Sequence, residues 1–362
     1  MTDLDALPTP VLLLDLERLE RNLARMAERC RTLGVTLRPH LKTHKCVEVA
    51  ERQRAHGARG VTVATLHEAR VFADHGFDDI TWAFPLVLSR LDEARELASR
   101  VTLRVTIDST AALDALERTG HPLHVWLKID CGYHRAGLDP ADPATLDLAR
   151  RLAASPRLRF DGLLTHSGHA YHEPDPAARR GIADAERRAV AELRERLAAE
   201  GIHVRASVGS TPAMAVVESL AGVQEARPGN YVFHDGTQVA LGTCAATDCA
   251  VTVLASVVSA PAGRTHCVTD AGALALSKDV GPSGGGTGMG QVYDDYAAGT
   301  LRASARLTAL SQEHGMLSSR LPVGHRVRIL PNHACLTVAC FDEYAVVRGD
   351  RVVERWRIWR GR

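Results

Sequence analysis

Val101-Thr-Leu-Arg-Val-Thr-Ile-Asp108 and Leu123-His-Val-Trp-Leu-Lys-Ile-Asp130 are two short, largely apolar runs separated by the Ala- and Leu-rich helical stretch 110–119. Two such runs joined by one helix read as parallel strands with a helical crossover. The pattern continues in both directions. Strands are predicted at Val35–Arg38, Gly60–Thr65 and Asp79–Phe84 before the quoted pair, and at Phe160–His166, Ile202–Val208 and Val223–Arg227 after it. Helical stretches at about 44–56, 67–75, 89–98, 143–154, 176–200 and 212–221 separate most of them. Eight repeats over roughly 200 residues predict an α/β fold, a (β/α)8 TIM barrel. The competing open, doubly wound sheet lacks its Gly-x-Gly-x-x-Gly after the first strand.

Upstream, Val11–Leu14 reads as a strand and Asp15 as the cap of a helix whose apolar stripe is Leu16, Leu19, Leu23 and Cys30. Downstream of about residue 245 the helical periodicity fades. Cys249–Ser259, Thr265–Thr269, Val327–Leu330, Leu336–Cys340 and Tyr344–Trp359 read as strands of a C-terminal, mostly antiparallel β domain. The expected boundaries are a barrel at 15–245 and a β domain at 246–362, which the N-terminal strand 1–14 joins. The glycine-rich run Gly281–Gly290 is expected to cover the active site or to connect strands.

The 362 residues carry 45% hydrophobic and 24% charged side chains, which excludes disordered and fibrous classes. A net charge of +1 gives no basic excess for nucleic acid. No apolar run is long enough for a membrane span, and the N-terminus lacks a secretion signal, so a cytoplasmic protein is expected. The eight cysteines are scattered and do not form a disulfide framework.

Only four of the 44 basic residues are lysine: Lys42, Lys45, Lys128 and Lys278. Arginine replaces lysine wherever a surface charge suffices, but not where an amine must lose its proton and attack. Two of the four lie in Arg38-Pro-His-Leu-Lys-Thr-His-Lys45; Lys128 and Lys278 fit random survival. Barrel enzymes place reactive groups past the C-terminal ends of strands. There stand Lys42, Cys131-Gly-Tyr-His-Arg135, His166-Ser-Gly-His169, Gly209-Ser-Thr-Pro212 and Arg227-Pro-Gly-Asn230. The last two clusters, after strands seven and eight, suggest a phosphate cradle with free N–H and hydroxyl groups. A phosphate site beside an amine-bearing lysine suggests pyridoxal phosphate.

These motifs, with Thr9-Pro-Val-Leu12, Thr165-His-Ser-Gly-His169 and Pro331-Asn-His-Ala-Cys335, resemble the D-serine dehydratase / D-threonine aldolase family over nearly the whole chain. The resemblance implies pyridoxal-phosphate enzymes with an alanine-racemase-like barrel and a C-terminal β domain. It implies that Lys42 forms the Schiff base, that Arg135 meets the phenolic oxygen of the cofactor and that His166 packs on the pyridine ring. It assigns Ser210, Thr211, Gly229 and Asn230 to the phosphate and Arg227 to the partner of the pyridine nitrogen.

His333 and Cys335, two apart on an expected strand, share a face, and both are good zinc ligands. By themselves they fit a core cysteine and a hydrogen-bonded histidine better than a metal site. The resemblance implies a divalent metal on this pair, zinc with cysteine at the second position and with manganese as an alternative. Cysteine there is expected of dehydratases and aspartate of aldolases. The expected activity is therefore a lyase that converts D-serine to pyruvate and ammonia. D-threonine aldolase is the alternative, and a non-catalytic pyridoxal-phosphate carrier is the alternative of another class. The expected partner is a small D-amino acid, with no nucleic acid or membrane and with a homodimer as the assembly. Lys45 competes with Lys42 for the cofactor, and His44, His169 and His172 are further candidates for the site lining.

Overall fold

A computed structural model describes residues 2–281, 286 and 288–362. Most of the interior of the glycine-rich run at 281–290 lies outside the described residues. The chain divides into two compact units. One comprises Met1–Arg25, Thr43–Arg52 and Asn230–Arg360, and the other Met26–Lys42, Gln53–Gly229 and Gly361–Arg362.

The second unit is the parallel barrel. Its strands are Thr36–Leu37, Val61–Val63, Asp79–Pro85, Thr102–Ile107, Leu123–Lys128, Leu158–Leu164, Arg205–Val208 and Glu225–Ala226, one inside each predicted run or overlapping it. Glu225–Ala226 pairs with both Arg205–Val208 and Thr36–Leu37. A lone bridge between His40 and Thr62 brings the first and second strands together. There the Thr62 N–H donates to Pro39 O at 2.9 Å and the Arg59 N–H to Leu37 O at 2.9 Å.

The quoted repeat shows why the alternation is legible. Ser109 Oγ accepts from the Ala112 N–H and starts the helix Thr110–Thr119, which Gly120 ends in the left-handed region at φ +62°. Leu113 and Leu116 on its inner face are fully buried, as are Val105, Ile107, Val125 and Leu127 on the flanking strands. At about 25 cal/mol per Å² of apolar area, each buried Leu contributes roughly 1.5–3 kcal/mol.

The strands also carry a closed ring of alternating charge. Arg38 bridges Asp79 (2.6 Å) and Glu225 (2.6 Å), Arg104 bridges Asp79 and Asp161, and Arg205 bridges Asp161 (3.2 Å) and Glu225 (3.9 Å). Burial works against the charged form of Asp79, but Arg38, Arg104 and Arg205 hold its carboxyl below the usual range. Burial likewise opposes ionisation of Asp161, which His124, Arg104 and Arg205 keep low.

The first unit holds a ten-stranded sheet. Val11–Asp15, the strand read ahead of the barrel, runs antiparallel to Val251–Ser259 and parallel to Glu343–Arg348. Leu12, Leu13 and Leu14 are fully buried there. Val251–Ser259, Cys267–Thr269, Gly315–Leu317, Thr300–Leu310, Gln291–Asp295 and Arg326–Leu330 pair in succession, and the last returns to the first to close a small barrel. One expectation is corrected: Leu336–Cys340 is not a strand, because Ala334–Val338 is a short helix that starts after His333. Among the described residues, no helix is long and apolar enough to cross a membrane.

Candidate functional site

In the barrel unit, Lys42 sits in the single turn Leu41–Thr43 just past the first strand, and its N–H donates to His40 Nδ1 at 3.4 Å. His166 donates through Nδ1 to Gly209 O at 2.9 Å. Its recessed position, together with the charges of Lys42, Arg135 and Lys128, pushes its pKa well down, so the ring is neutral. Three residues predicted from separate strands, Lys42, Arg135 and His166, thus share one electrostatic neighbourhood.

Arg135 stands on a loop that Asp130 builds. Asp130 Oδ1 accepts from the N–H groups of Gly132, Tyr133 and His134, each at 3.0 Å. Gly137 closes this loop at φ +116°, where a Cβ would lie 2.7 Å from Asp130 N. The Arg135 guanidinium lies over the Tyr133 ring, 4.9 Å from its centroid, and Tyr133 also meets His166 edge-on and stacks on His169. Gly168 admits that ring, since a Cβ there would come within 2.2 Å of it. His169 thus supports Tyr133, and its Nδ1 is buried without a hydrogen-bond partner.

The segment expected to cradle a phosphate differs from expectation in one respect. The Gly209 N–H is not free, because it donates to Glu186 Oε1 at 3.2 Å, as does the Ser167 N–H at 2.8 Å. Glu186 therefore ties together the loops after strands six and seven; no motif marks it, and only its burial on a long helix reveals it. Ser210 caps the helix Thr211–Val216 through the Ala213 N–H, and Gly209 approaches Arg227 so closely that a Cβ would lie 2.6 Å from its backbone N. Gly229 ends this unit's main segment, and Asn230 opens the next segment of the other unit. Arg227 is buried, with its guanidinium on Ser207 Oγ and Thr165 O; burial lowers its pKa to about 10 against the pull of Glu225 and Glu186.

Lys128, set aside in the sequence as a surviving lysine, is buried at a strand end. Burial and the charges of Arg227 and Arg135 lower its pKa to about 8. The rarity of lysine was the signal for it, but its place inside an apolar strand run hid it.

In the other unit, His333 and Cys335 come together although no strand carries them. His333 Nδ1 is hydrogen-bonded to Asp279 Oδ2, which leaves Nε2 for another partner. Burial opposes protonation of His333, yet the Cys335 sulfur, Asp279 and Asp235 push its pKa up to about 11. The sulfur and the carboxylates thus favour the protonated ring, and a carboxylate on the second ring nitrogen is the usual partner of a metal-bound histidine. Among the described residues no three or more His, Cys, Asp or Glu side chains cluster to hold a metal. Cys335 Sγ also reaches Thr43 Oγ1 at 3.2 Å. His44 is a core residue: it is fully buried, its Nδ1 accepts from the Cys46 N–H and its C=O from Tyr344 Oη. Lys45 adopts φ +48°, and its carbonyl accepts from the Trp359 N–H at 2.7 Å.

Comparisons with known proteins agree with this architecture. Residues 14–236 match the family described as "Alanine racemase, N-terminal domain", and residues 250–347 match the "Putative serine dehydratase domain". A D-threo-3-hydroxyaspartate dehydratase from Delftia sp. is 39% identical, with 98% of each chain covered, and its solved structure superimposes with TM-score 0.93 at 38% identity over 100% of both chains. A D-serine dehydratase from Dictyostelium discoideum is 34% identical over 97% of this chain and 96% of its own. A D-threonine aldolase from Arthrobacter sp. is 30% identical over 97% of this chain and 92% of its own. Two hydroxyaspartate dehydratase structures carry single substitutions, one of a histidine and one of a cysteine two positions further on, and the cysteine variant is metal-free. The chain belongs to the D-serine dehydratase / D-threonine aldolase family, pyridoxal-phosphate lyases of D-hydroxy amino acids with an alanine-racemase-like barrel.

Proposed function

We propose that the protein is a metal-assisted dehydratase that converts D-serine to pyruvate and ammonia. The observation that carries the reading is the pairing of His333 with Cys335, whose sulfur contacts Thr43, the residue bonded to Lys42. Pyridoxal phosphate on Lys42 would supply an electron sink for charge at Cα. A zinc-class ion on His333 Nε2 and Cys335 Sγ would supply Lewis acidity at the β-oxygen, with manganese as the harder alternative. Ser210, Thr211, Gly229 and Asn230 are the groups assigned to the phosphate, and Arg135 to the phenolic oxygen. Neutral His166, fixed by its bond to Gly209 O, offers a flat uncharged face to a pyridine ring. Arg227, locked on Ser207 and Thr165, is the candidate partner of the ring nitrogen. The Lys42 amine is the base assigned to the Cα proton.

The Delftia relative supports D-threo-3-hydroxyaspartate as a second substrate, which would give oxaloacetate and ammonia. The two variant structures support the metal reading, because the spacing of their replaced residues is that of His333 and Cys335. A homodimer in the cytoplasm belongs to the same reading. The test is product analysis with D-serine, D-threo-3-hydroxyaspartate and D-threonine. Keto acid and ammonia in equal amounts are expected from the first two; glycine and an aldehyde from D-threonine, without keto acid from D-serine, would make the protein an aldolase.

A further inference from the structure

We propose that Asp235 is a positioning residue that locks the metal-binding segment to the phosphate segment and so couples metal binding to cofactor binding. Asp235 is fully buried, and its carboxylate gathers three N–H donors. Oδ2 accepts from Asn230 Nδ2 at 2.6 Å and from the Ala334 N–H at 3.0 Å, and Oδ1 accepts from the Gln238 N–H at 3.0 Å. One oxygen thus serves a residue assigned to the phosphate and the peptide between the two assigned metal ligands. The neighbouring backbone extends the clamp. The Gly236 N–H donates to Pro331 O at 2.9 Å, and the Thr237 N–H and Oγ1 both donate to Asn332 O, at 3.1 and 2.8 Å. Gly236 passes so close that an added Cβ would lie 3.2 Å from Pro331 O.

The chemistry explains why a carboxylate stands here. The Ala334 peptide lies between His333 and Cys335, so fixing its N–H fixes how the two side chains face each other. An asparagine must turn its NH2 either against the Gln238 N–H that opens the helix Gly236–Ala240 or against the Asn230 and Ala334 donors, so it loses one side of the carboxylate's contacts either way. A shared acceptor also transmits strain: a metal that draws His333 and Cys335 together pulls on the atom that holds Asn230. Coupling of this kind is reciprocal, so metal and cofactor should raise each other's affinity by the same factor.

The inference rests on the assignment of the metal to His333 and Cys335. The test uses the holoenzyme, stripped of metal by a chelator and titrated with zinc against a chromophoric competitor. Asp235→Asn should weaken zinc about 10- to 100-fold. It should also shift the visible bands of the cobalt(II)-loaded protein, which report the thiolate and imidazole geometry. In the wild type, zinc should slow cofactor loss at least about 5-fold, and in Asp235→Asn less than twofold.

Ala334→Pro serves as a second variant. It deletes only the N–H that Asp235 accepts, at the first position of a helix, where proline is tolerated. His333, at φ −137° and ψ 102°, already has a conformation suited to precede proline. Folded variants with zinc affinity within twofold of wild type and an unchanged cobalt spectrum overturn the inference. So does a wild type whose cofactor affinity ignores zinc, a measurement that needs no variant. A wild type that takes up no zinc overturns the metal assignment as well.

Discussion

The Cys335 thiol donates to the Thr43 hydroxyl at 3.2 Å, and Thr43 is the residue that follows the cofactor lysine, Lys42. The contact ties an assigned metal ligand to the peptide that carries the assigned Schiff base. Were Cys335 a thiolate on the proposed metal, the hydroxyl would reverse its role and donate to the sulfur.

Thr43→Val keeps the shape and removes that donor. Zinc affinity should fall about tenfold, at the lower end of what loss of such a supporting hydrogen bond costs. Thr43→Ser should bind zinc nearly as the wild type does. Competition titration checks both, and equal affinities in all three proteins would leave the hydroxyl without a role at the metal.

Lys42→Ala should abolish both the visible absorbance of bound cofactor and turnover, whereas Lys45→Ala should keep the colour. Lys128→Met tests the buried lysine beside Arg135. With a pKa near 8 from burial and two arginines, it can hold a neutral amine at mildly alkaline pH. Replacing it should shift the alkaline limb of the pH–rate profile while the colour persists. A borohydride-reducible cofactor linkage in Lys42→Ala would transfer the Schiff base to another lysine.

The barrel was legible because its strands and helices are local patterns, and Ser109 and Gly120 punctuate them as their chemistry demands. Position past the strand ends singled out Lys42, Arg135 and His166, and the fold brings their charges into one neighbourhood; the cofactor roles proposed for them come from the family resemblance. The β unit was not so open. Thr300–Leu310 mixes Leu, Ala, Arg and Thr with many exposed residues, so no clean alternation marks it even though its partners, Gln291–Asp295 and Gly315–Leu317, are its neighbours in sequence. His333 and Cys335 do meet, but at the start of a short helix and not on the strand expected for them. Their segment is bent into a helix cap by hydrogen bonds to Asp235 and Thr237, a hundred residues away in sequence. Glu186 and Asp235 carry no motif at all, and only the fold shows what they hold.

His234 supplies a pH prediction. It is buried at φ +50°, and burial lowers its pKa to about 4, with Asp248 resisting and Arg25 assisting. Below pH 6.5 the unfolded chain takes up a proton that the folded one refuses, so stability falls as pH drops from about 6.5 to about 4. The slope is about 1.4 kcal/mol per pH unit for this group. His234→Asn, which tolerates the left-handed backbone, should lose about 2 kcal/mol less than the wild type between pH 7 and 5. Urea midpoints at the two pH values measure it, and identical losses would show that His234 is protonated in the fold.

The charge ring makes a stability prediction. Glu225 and Arg38 are both nearly inaccessible, and Glu225→Gln leaves the guanidinium underpaired. The loss should be about 3–5 kcal/mol, while the double change Arg38→Met with Glu225→Leu should recover most of it. Denaturant unfolding of the three proteins decides the point, and a neutral Glu225→Gln would mean that Asp79 alone satisfies Arg38.

Cys335→Ala should lose turnover and keep the cofactor colour, because the lysine and the assigned phosphate residues are unchanged. Cys335→Asp should regain part of the activity with manganese, since a carboxylate suits a harder ion better than a thiolate does.

The most direct test compares metal content with pyruvate and ammonia release from D-serine in zinc-loaded, zinc-depleted and zinc-restored protein. Depletion is expected to lower the rate at least about 100-fold, the scale of one lost electrostatic stabiliser. With pyridoxal phosphate in excess, which offsets the weaker cofactor binding of zinc-free protein, the cofactor absorbance should stay unchanged, and added zinc should restore the rate. Full activity in a protein shown to be metal-free would contradict the account and reduce His333 and Cys335 to packing residues.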